Sequence, residues 1–216
     1  MDPDFWHNRW ANNQIGFHEG KPNALLAKHF ERLGLAPGAH VFLPLCGKTR
    51  DIAWLLDLGF KVTGAELNNL AVEQLFEELG IAPTVTAEGK MTRYSAPFID
   101  IFQGDIFDLS GTMLGQENGK VDAVYDRAAL VALPGLMRAR YAAHLMDITG
   151  TAPQFLIAFD YDQSLVNGPP FSVNAAEVRT HYADAYRITL LDDVPLDGGL
   201  KGKFPAQEQA WLLEPS

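Results

Sequence analysis

A strand that turns into a helix, followed by an acidic residue on the next strand, is the most informative pattern in the sequence. The segment 41–48 reads Val-Phe-Leu-Pro-Leu-Cys-Gly-Lys, and Glu66 closes a second apolar run. In nucleotide-binding sheets, an acidic residue about twenty positions after the first strand accepts hydrogen bonds from ribose hydroxyls, and two carboxylate oxygens suit two vicinal hydroxyls. Glu66 is therefore predicted to hold a ribose. An acidic residue at the start of the following helix would also be favoured by the helix dipole.

The loop after the first predicted strand argues against two common nucleotide ligands. A dinucleotide site needs the three glycines of G-x-G-x-x-G, and only Gly47 is present. Gly47-Lys48-Thr49 imitates the end of a phosphate-binding loop, but the earlier glycine of that motif would fall at Phe42, inside the strand. The remaining prediction is a nucleoside ligand without a diphosphate.

Two tryptophans near the N-terminus predict an aromatic surface. Trp6 and Trp10 are four residues apart and share a face if 5–11 is helical, and Phe17 follows them. Aromatic faces, above all that of Trp, attract ligand cations. S-adenosylmethionine (SAM) is a nucleoside with a positively charged sulfonium and no phosphate, so it fits both observations. The alternative is that the tryptophans only pack in an amphipathic helix.

Charged residues follow the third and fourth predicted strands. Asp105-Ile106 and Asp126-Arg127 fall at the carboxyl ends of these strands, which face the ligand crevice of an open sheet. Either pair is placed to touch a bound ligand. Asp126 and Arg127 equally suit a surface ion pair, and Asp105 equally suits a turn.

The histidines and the single cysteine indicate neither a metal site nor a covalent catalyst. The six histidines show no ligand spacing such as H-x-x-x-H, and no cysteine pair joins them. Cys46 is the only cysteine, and a lone cysteine in apolar surroundings is usually inert. We therefore predict no metal and assign no catalytic residue.

The elements that must position these residues alternate between strands and helices, which predicts an α/β fold with a mostly parallel sheet. The last two strands follow each other without a helix between them, which predicts an antiparallel pair at the sheet edge. Helices are predicted over 5–11, 24–33, 51–58, 68–79, 134–148 and 174–182. Strands are predicted over 41–45, 61–66, 99–103, 121–126, 155–160, 187–194 and 210–213.

Length and composition predict one domain without a membrane or nucleic-acid partner. The 216 residues, 47% of them hydrophobic, are expected to form a single domain, 1–216, in which 1–39 are a helical cover. A formal net charge of -10 disfavours nucleic acid and anionic membranes. The sequence has neither a basic n-region nor an apolar stretch of bilayer length, and with the lone Cys46 this predicts a cytoplasmic protein. A monomer is expected, because no oligomerisation motif is evident.

At these residues the sequence resembles the thiopurine S-methyltransferases, a branch of the Rossmann-like, SAM-dependent methyltransferases. The resemblance covers most of the chain, and the combination of its motifs is specific. The motifs are W-x-x-x-W at 6–10 with Phe17-His18, the segments 42–48 and 126–132, Gly64-Ala65-Glu66, Ile106-Phe107-Asp108-Leu109 and Pro169-Pro170-Phe171.

The resemblance implies a fold, a reaction and a set of binding residues. The fold would be a Rossmann-like, seven-stranded, mostly parallel sheet with helices on both faces, an antiparallel last strand and an N-terminal helical lid. The reaction would be methyl transfer from SAM to the sulfur of aromatic or heterocyclic thiols, and bacterial relatives are linked to selenium and tellurium oxyanion detoxification. Phe17 and Arg127 would also border the thiol acceptor. The implied SAM-binding residues are Trp6, Trp10, Phe17, Leu45, Glu66, Asp105, Ile106 and Arg127.

Methyl transfer from a sulfonium is an in-line displacement, so proximity is expected to supply most of the rate. No general base is assigned, because aromatic thiols are partly ionised near neutral pH. Arg127 is hypothesised to favour the anionic acceptor through its fixed charge. The alternatives are a methyltransferase for oxygen or nitrogen acceptors, a module that binds SAM without turnover, and a nicotinamide oxidoreductase.

Overall fold

The computed structural model describes residues 2–16, 18–115 and 120–216, and the strands in these ranges form one mixed sheet. Its nine strands have the order β3-β4-β5-β2-β1-β6-β7-β9-β8. The strands are β1 His40–Leu43, β2 Lys61–Glu66, β3 Thr84–Glu88, β4 Met91–Ala96, β5 Ile99–Gln103, β6 Ala123–Arg127, β7 Gln154–Asp160, β8 Tyr186–Pro195 and β9 Gln207–Pro215.

The centre of the sheet is parallel, and its order reverses direction at β1. The strands β1, β2 and β5 run parallel on one side, and β6 and β7 run parallel on the other. Val41 of β1 lies between Val62 of β2 and Ala123 of β6 in the register. In open α/β sheets, the crevice beyond the carboxyl ends of the strands at such a reversal is where ligands bind. The fold therefore places its crevice between the ends of β1 and β6.

Five of the six α-helices in the described ranges begin at a side-chain cap that the sequence supplies, and two of the six end at a left-handed glycine. The amide oxygen of Asn23 accepts from the backbone N–H groups of Leu25 and Leu26, and Gly80 ends α4 in the left-handed conformation at φ 68°. None of these helices is long and apolar enough to cross a membrane. The helices are α1 Pro3–Ala11, α2 Ala24–His29, α3 Arg50–Asp57, α4 Asn69–Leu79, α5 Gly135–Thr149 and α6 Ala175–Tyr182.

Two apolar cores lie on the two faces of the sheet. Val41 and Phe42 are neighbours on β1 and are both fully buried, but they belong to different cores because successive side chains point to opposite faces. Helices α5 and α6 pack on the Phe42 side, and α2, α3 and α4 pack on the Val41 side. The sheet is therefore covered on both faces, as parallel strands require.

The predicted class of fold is confirmed, but the predicted count of seven strands is wrong. The extra pair is the hairpin of β3 and β4, which adds two antiparallel strands next to β5. The strand β3 is not a buried apolar run, since its residues Thr84 to Ala87 are exposed, and an expectation based on such runs omits it. The signal was present, because a Thr-Val-Thr run before Gly89 is typical of an edge hairpin.

The last two strands form an antiparallel pair at the edge of the sheet, as predicted. The strand β9 is antiparallel to both β7 and β8 and lies between them. The helix predicted over 24–33 is shorter than expected: α2 ends at His29, and a 3-10 turn, Phe30–Leu33, completes the segment before Gly34.

Candidate active site

A cavity of about 730 Å³, counted with its open mouth, lies beyond the carboxyl ends of β1, β2 and β6. It therefore occupies the crevice that the strand order predicts. Five of the eight predicted SAM-binding residues line it, and they come from four separate parts of the chain. The lining consists of Trp6, Trp10, His18, the segment 43–49, Asp51, Glu66, Leu67, Tyr125, Arg127, Ala128 and Ala132.

Glu66 is a buried carboxylate that faces the loop after β1. Its Oε2 accepts from the backbone N–H of Gly47 and its Oε1 accepts from the backbone N–H of Asn68, both at 2.8 Å. Burial raises the pKa of Glu66, and these backbone hydrogen bonds oppose the rise. Each carboxylate oxygen keeps a second lone pair, so the side chain can still accept from two hydroxyls. The side chain of Asn68 caps the start of α4, and the Glu66 carboxylate accepts from the backbone N–H of that same capping residue, so the helix-terminus role stays open beside the predicted ribose contact.

The backbone is strained where two strands meet the cavity. Leu45 has φ 46° and Ala128 has φ 61°, a left-handed conformation that is uncommon for residues other than glycine. Both residues line the cavity, one after β1 and the other after β6. Such strain concentrates at functional sites, where the surrounding structure must hold it.

Helix α1 forms an aromatic wall of the cavity. Trp10 is buried, Trp6 is partly buried, and both line the cavity, as their four-residue spacing predicts. In the same helix, Nδ1 of His7 lies 2.9 Å from the side-chain Nδ2 of Asn68, the residue that precedes α4. Phe17, the third aromatic residue of the predicted lid, lies outside the described residues.

Arg127 lies among carboxylates at the other side of the cavity. Its guanidinium forms an ion pair with Glu19, which belongs to the loop between α1 and α2. Only 10% of the Arg127 side chain is exposed, compared with 40% of the Glu19 side chain. Glu208 and Asp51 are also close enough to act electrostatically on this region, and burial raises the pKa of Glu208 while Arg127 opposes that rise. Arg127 is therefore the cation at this wall of the cavity.

Asp126, the neighbour of Arg127, points away from the cavity because side chains alternate along β6. Its carboxylate is fully buried and accepts from the backbone N–H of Leu130 at 3.0 Å and from the hydroxyl of Tyr141 at 2.8 Å. Burial raises its pKa from 3.8 to about 6. The idea that Asp126 touches the ligand, and the alternative of a surface ion pair, are thus both replaced by a structural role in the core.

This buried carboxylate predicts a pH-dependent stability. Since the folded-state pKa of Asp126 is about 6, above the 3.8 expected in the unfolded chain, its protonation stabilises the fold below pH 3.8. That contribution is lost as the pH rises through 6. Asp126→Asn keeps a neutral side chain at all pH values, so relative to the wild type its free energy of unfolding should rise by about 2 to 3 kcal/mol between pH 4 and pH 7. Urea denaturation of both proteins at the two pH values measures the difference, and a pH-independent difference would contradict the prediction.

Asp105 and Ile106 lie outside the lining of this cavity. Asp105 is exposed, and its carboxylate accepts from the backbone N–H of Phe107 at 3.0 Å, which is the turn arrangement that the sequence also allowed. Ile106 is buried in the core. The backbone N–H of Gly104 donates to the carbonyl of Glu66 at 2.9 Å, so this turn begins beside the end of β2. Contact of Asp105 and Ile106 with the ligand stays a prediction.

Several residues of the cavity were not singled out from the sequence. Asp51 is buried and accepts from the hydroxyl of Tyr125 at 2.9 Å and from the backbone N–H of Asn23 at 2.7 Å. Tyr125 could have been found, because it lies two residues before Arg127 on the same face of a strand. His18, which the family motif includes without a role, also lines the cavity, and its pKa is lowered by burial and by Lys48.

Cys46 is buried in the cavity wall, and its thiol donates to the carbonyl of Gly47 at 3.6 Å. Burial raises the pKa of the thiol well above its usual value, and the charge of Glu66 raises it further. Among the described residues, no group of three or more His, Cys, Asp or Glu side chains is arranged to hold a metal ion.

Solved structures share the fold of this chain. The 1,6-didemethyltoxoflavin-N1-methyltransferase of Burkholderia thailandensis, solved with S-adenosylhomocysteine, superposes with a TM-score of 0.66 at 14% identity and covers 99% of this chain and 87% of its own. This likeness confirms the predicted class of fold, that of the SAM-dependent methyltransferases. The family model for thiopurine S-methyltransferase matches residues 1–205. The chain belongs to the thiopurine S-methyltransferase family.

Individual relatives with the name of this family are similar in sequence to nearly the whole chain. The thiopurine S-methyltransferase of Xanthobacter autotrophicus is 62% identical over 215 residues, which are 99% of each chain. The protein of the same name from Gluconobacter oxydans is 46% identical and covers 98% of this chain and 94% of its own. The family resemblance predicted from the motifs is therefore confirmed, and with it the expectation of a SAM-dependent methyltransferase.

Proposed function

We propose that this member of the family transfers the methyl group of SAM to the sulfur of aromatic or heterocyclic thiols, thiopurines among them. The observation that carries the proposal is one cavity in which a buried carboxylate, two indoles and a guanidinium line separate walls. The carboxylate suits ribose hydroxyls, and the indoles suit a cation. The loop after β1 that lines the cavity, 43–49, carries one glycine, Gly47, and lacks the G-x-G-x-x-G pattern, which agrees with a donor that carries no phosphate.

When bound, SAM supplies a methyl group on a positively charged sulfur. The residues of this chain hold and orient the reactants. Glu66 accepts hydrogen bonds from the ribose, Leu45 borders the amino-acid end, and Trp6 and Trp10 cover the cationic part and exclude water. Because such displacement depends on alignment, positioning is the main contribution of the protein to the rate.

The acceptor is proposed to bind on the Arg127 side of the cavity. A guanidinium at this place favours the thiolate form of an aromatic thiol, since its positive charge is fixed at all working pH values. No dedicated base is needed for an acceptor that is already partly ionised. Phe17 is proposed to border the same acceptor.

The ion pair between Arg127 and Glu19 predicts an effect on acceptor affinity. An anionic acceptor must share the guanidinium with the Glu19 carboxylate, so Glu19→Gln should lower the KM of an anionic thiol such as 2-mercaptobenzoate by roughly three- to ten-fold. The KM of an aromatic thiol whose ring carries no charged substituent should change less. Steady-state kinetics with both acceptors measure this. Equal KM values in the wild type and Glu19→Gln would show that the two anions do not compete.

An assay of methyl transfer tests the proposed function. Purified protein is incubated with SAM and a panel that contains an aromatic thiol, a thiopurine, a catechol and an amine, and the methylated products and S-adenosylhomocysteine are quantified. We expect methylation of the thiols. Preferential methylation of the catechol or the amine would indicate another class of methyltransferase. Calorimetric binding of SAM without product would indicate a binding module, and a thermal shift with NAD but not with SAM would indicate an oxidoreductase.

Three finer proposals accompany this function. Selenium and tellurium species are proposed as further acceptors, because they are soft nucleophiles like sulfur. A cytoplasmic location is proposed on the basis of the single cysteine, and no nucleic-acid or membrane partner is proposed because of the net charge of -10. A monomer is proposed, since exposed apolar side chains such as Phe98 and Leu136 are scattered over different elements. Light scattering after gel filtration measures the mass in solution.

A further inference from the structure

Asn68 contacts three parts of the molecule at once. Its backbone N–H donates to Oε1 of Glu66 at 2.8 Å, and its side-chain Oδ1 accepts from the backbone N–H of Ala71 at 3.3 Å, which caps α4. Its side-chain Nδ2 lies 2.9 Å from Nδ1 of His7 on α1. The residue is buried, with 5% of its surface exposed. The Glu66 carboxylate and the aromatic helix are thus joined through one residue, by its backbone on one side and its side chain on the other.

The cap of α4 determines how the Asn68 amide is oriented. If the amide were turned over, its NH₂ group would face the backbone N–H of Ala71, and the cap would be lost. When Oδ1 of Asn68 accepts from the backbone N–H of Ala71, the NH₂ group of Asn68 faces His7, and this group can only donate. In this orientation Nδ1 of His7 is the acceptor of the hydrogen bond.

We propose that Asn68 is a positioning residue that couples the Glu66 carboxylate to the aromatic helix α1 through a hydrogen bond to His7. This inference rests on the proposed function, because it takes Glu66 and the two tryptophans of α1 as donor-binding groups. Asn68 makes no direct contact with the donor in this proposal. It fixes the Glu66 carboxylate with its backbone and holds α1, with Trp6 and Trp10, over the cavity with its amide.

The chain offers variants that remove only this hydrogen bond. Asn68→Ser keeps a side-chain oxygen for the cap of α4 and the backbone N–H for Glu66, but it loses the donor to His7. His7→Leu removes the acceptor, whereas His7→Asn presents an oxygen close to the position of Nδ1 and should preserve the bond. Asn69→Ser, one residue further along in an exposed position outside the cavity lining, is the matched control.

Two measurements test the coupling. In calorimetry, Asn68→Ser and His7→Leu should each raise the Kd for SAM by roughly three- to ten-fold, the range for one hydrogen bond. The double variant should be no worse than either single variant, because both remove the same contact. In steady-state kinetics the KM for SAM should rise, while the KM for the thiol acceptor stays unchanged. His7→Asn and Asn69→Ser should resemble the wild type.

A measurement on the protein without bound SAM distinguishes a failure of this inference from a failure of the proposed function. Acrylamide quenching of tryptophan fluorescence in the ligand-free protein should increase in Asn68→Ser and His7→Leu and stay at the wild-type level in His7→Asn, since α1 is held less firmly without the bond. Unchanged quenching, or additive losses of SAM affinity in the double variant, would overturn the coupling. A wild-type protein that binds no SAM would instead overturn the proposed function, and the quenching experiment would still decide whether Asn68 holds α1.

Discussion

Glu66→Ala is expected to raise the Kd for SAM by about 100-fold, which corresponds to about 2.7 kcal/mol. A hydrogen bond to a charged group contributes about 1.5 to 3 kcal/mol, and the Glu66 carboxylate is placed to accept two from the ribose. The same carboxylate also holds the backbone N–H groups of Gly47 and Asn68, so its removal loosens the loop as well. Isothermal titration calorimetry with SAM and with S-adenosylhomocysteine measures the loss.

A charge-matched control separates this local effect from a general change in charge. Glu77→Ala removes one carboxylate from the exposed surface of α4, outside the cavity lining, and should leave the Kd unchanged. Circular dichroism and thermal unfolding establish that both variants are folded. If folded Glu66→Ala bound SAM as tightly as Glu77→Ala does, Glu66 would not be the ribose ligand.

Arg127→Ala is expected to lower kcat/KM for an aromatic thiol by about 100-fold. Removal of one preorganised charged group that stabilises a reacting anion has an effect of this order. The guanidinium is nearly buried at the cavity wall, so solvent screens it less than an exposed charge. Kinetics with a thiol acceptor from pH 6 to pH 9 measure the effect, which should be largest where the free thiol is mostly protonated.

Two further variants make the Arg127 experiment specific. Arg127→Lys keeps the charge without the planar guanidinium and should retain part of the activity. Arg179→Ala removes an exposed arginine of α6 that does not line the cavity, and it should behave as the wild type. Arg127→Ala with wild-type kinetics at every pH would remove the proposed role.

The parallel centre of the fold was predictable because its strands are buried on both faces. These strands are short apolar runs that alternate with helical segments, and their length and this alternation identify them: β1, β2, β5, β6 and β7. The β3–β4 hairpin was missed because an exposed edge carries no such run. Its β-branched residues and turn glycine were weaker signals, and they became clear only in the context of the sheet.

The residues of the candidate site that lie at strand ends were predictable from the sequence. Contacts between loops that are distant in sequence were less predictable. Glu66, Leu45 and Arg127 follow from the order of strands and helices together with the family motifs, and the spacing of Trp6 and Trp10 indicates a shared face. The pairing of Arg127 with Glu19 joins residues 108 positions apart, and no local pattern encodes such a contact. Whether Asp126 faces the core or the cavity depends on where β6 begins, and a sequence pattern places the end of a strand only to within about two to four residues.

The buried thiol of Cys46 lies where a bound methyl donor could alkylate it. A thiolate, and not a thiol, is the nucleophile in alkylation, and Cys46 stands in the wall of the cavity proposed to hold the methyl donor. Its raised pKa, caused by burial and by the neighbouring charge of Glu66, keeps the sulfur protonated at neutral pH. Burial and, after it, the carboxylate that is proposed to secure the donor thus both disfavour methylation of the protein's own thiol.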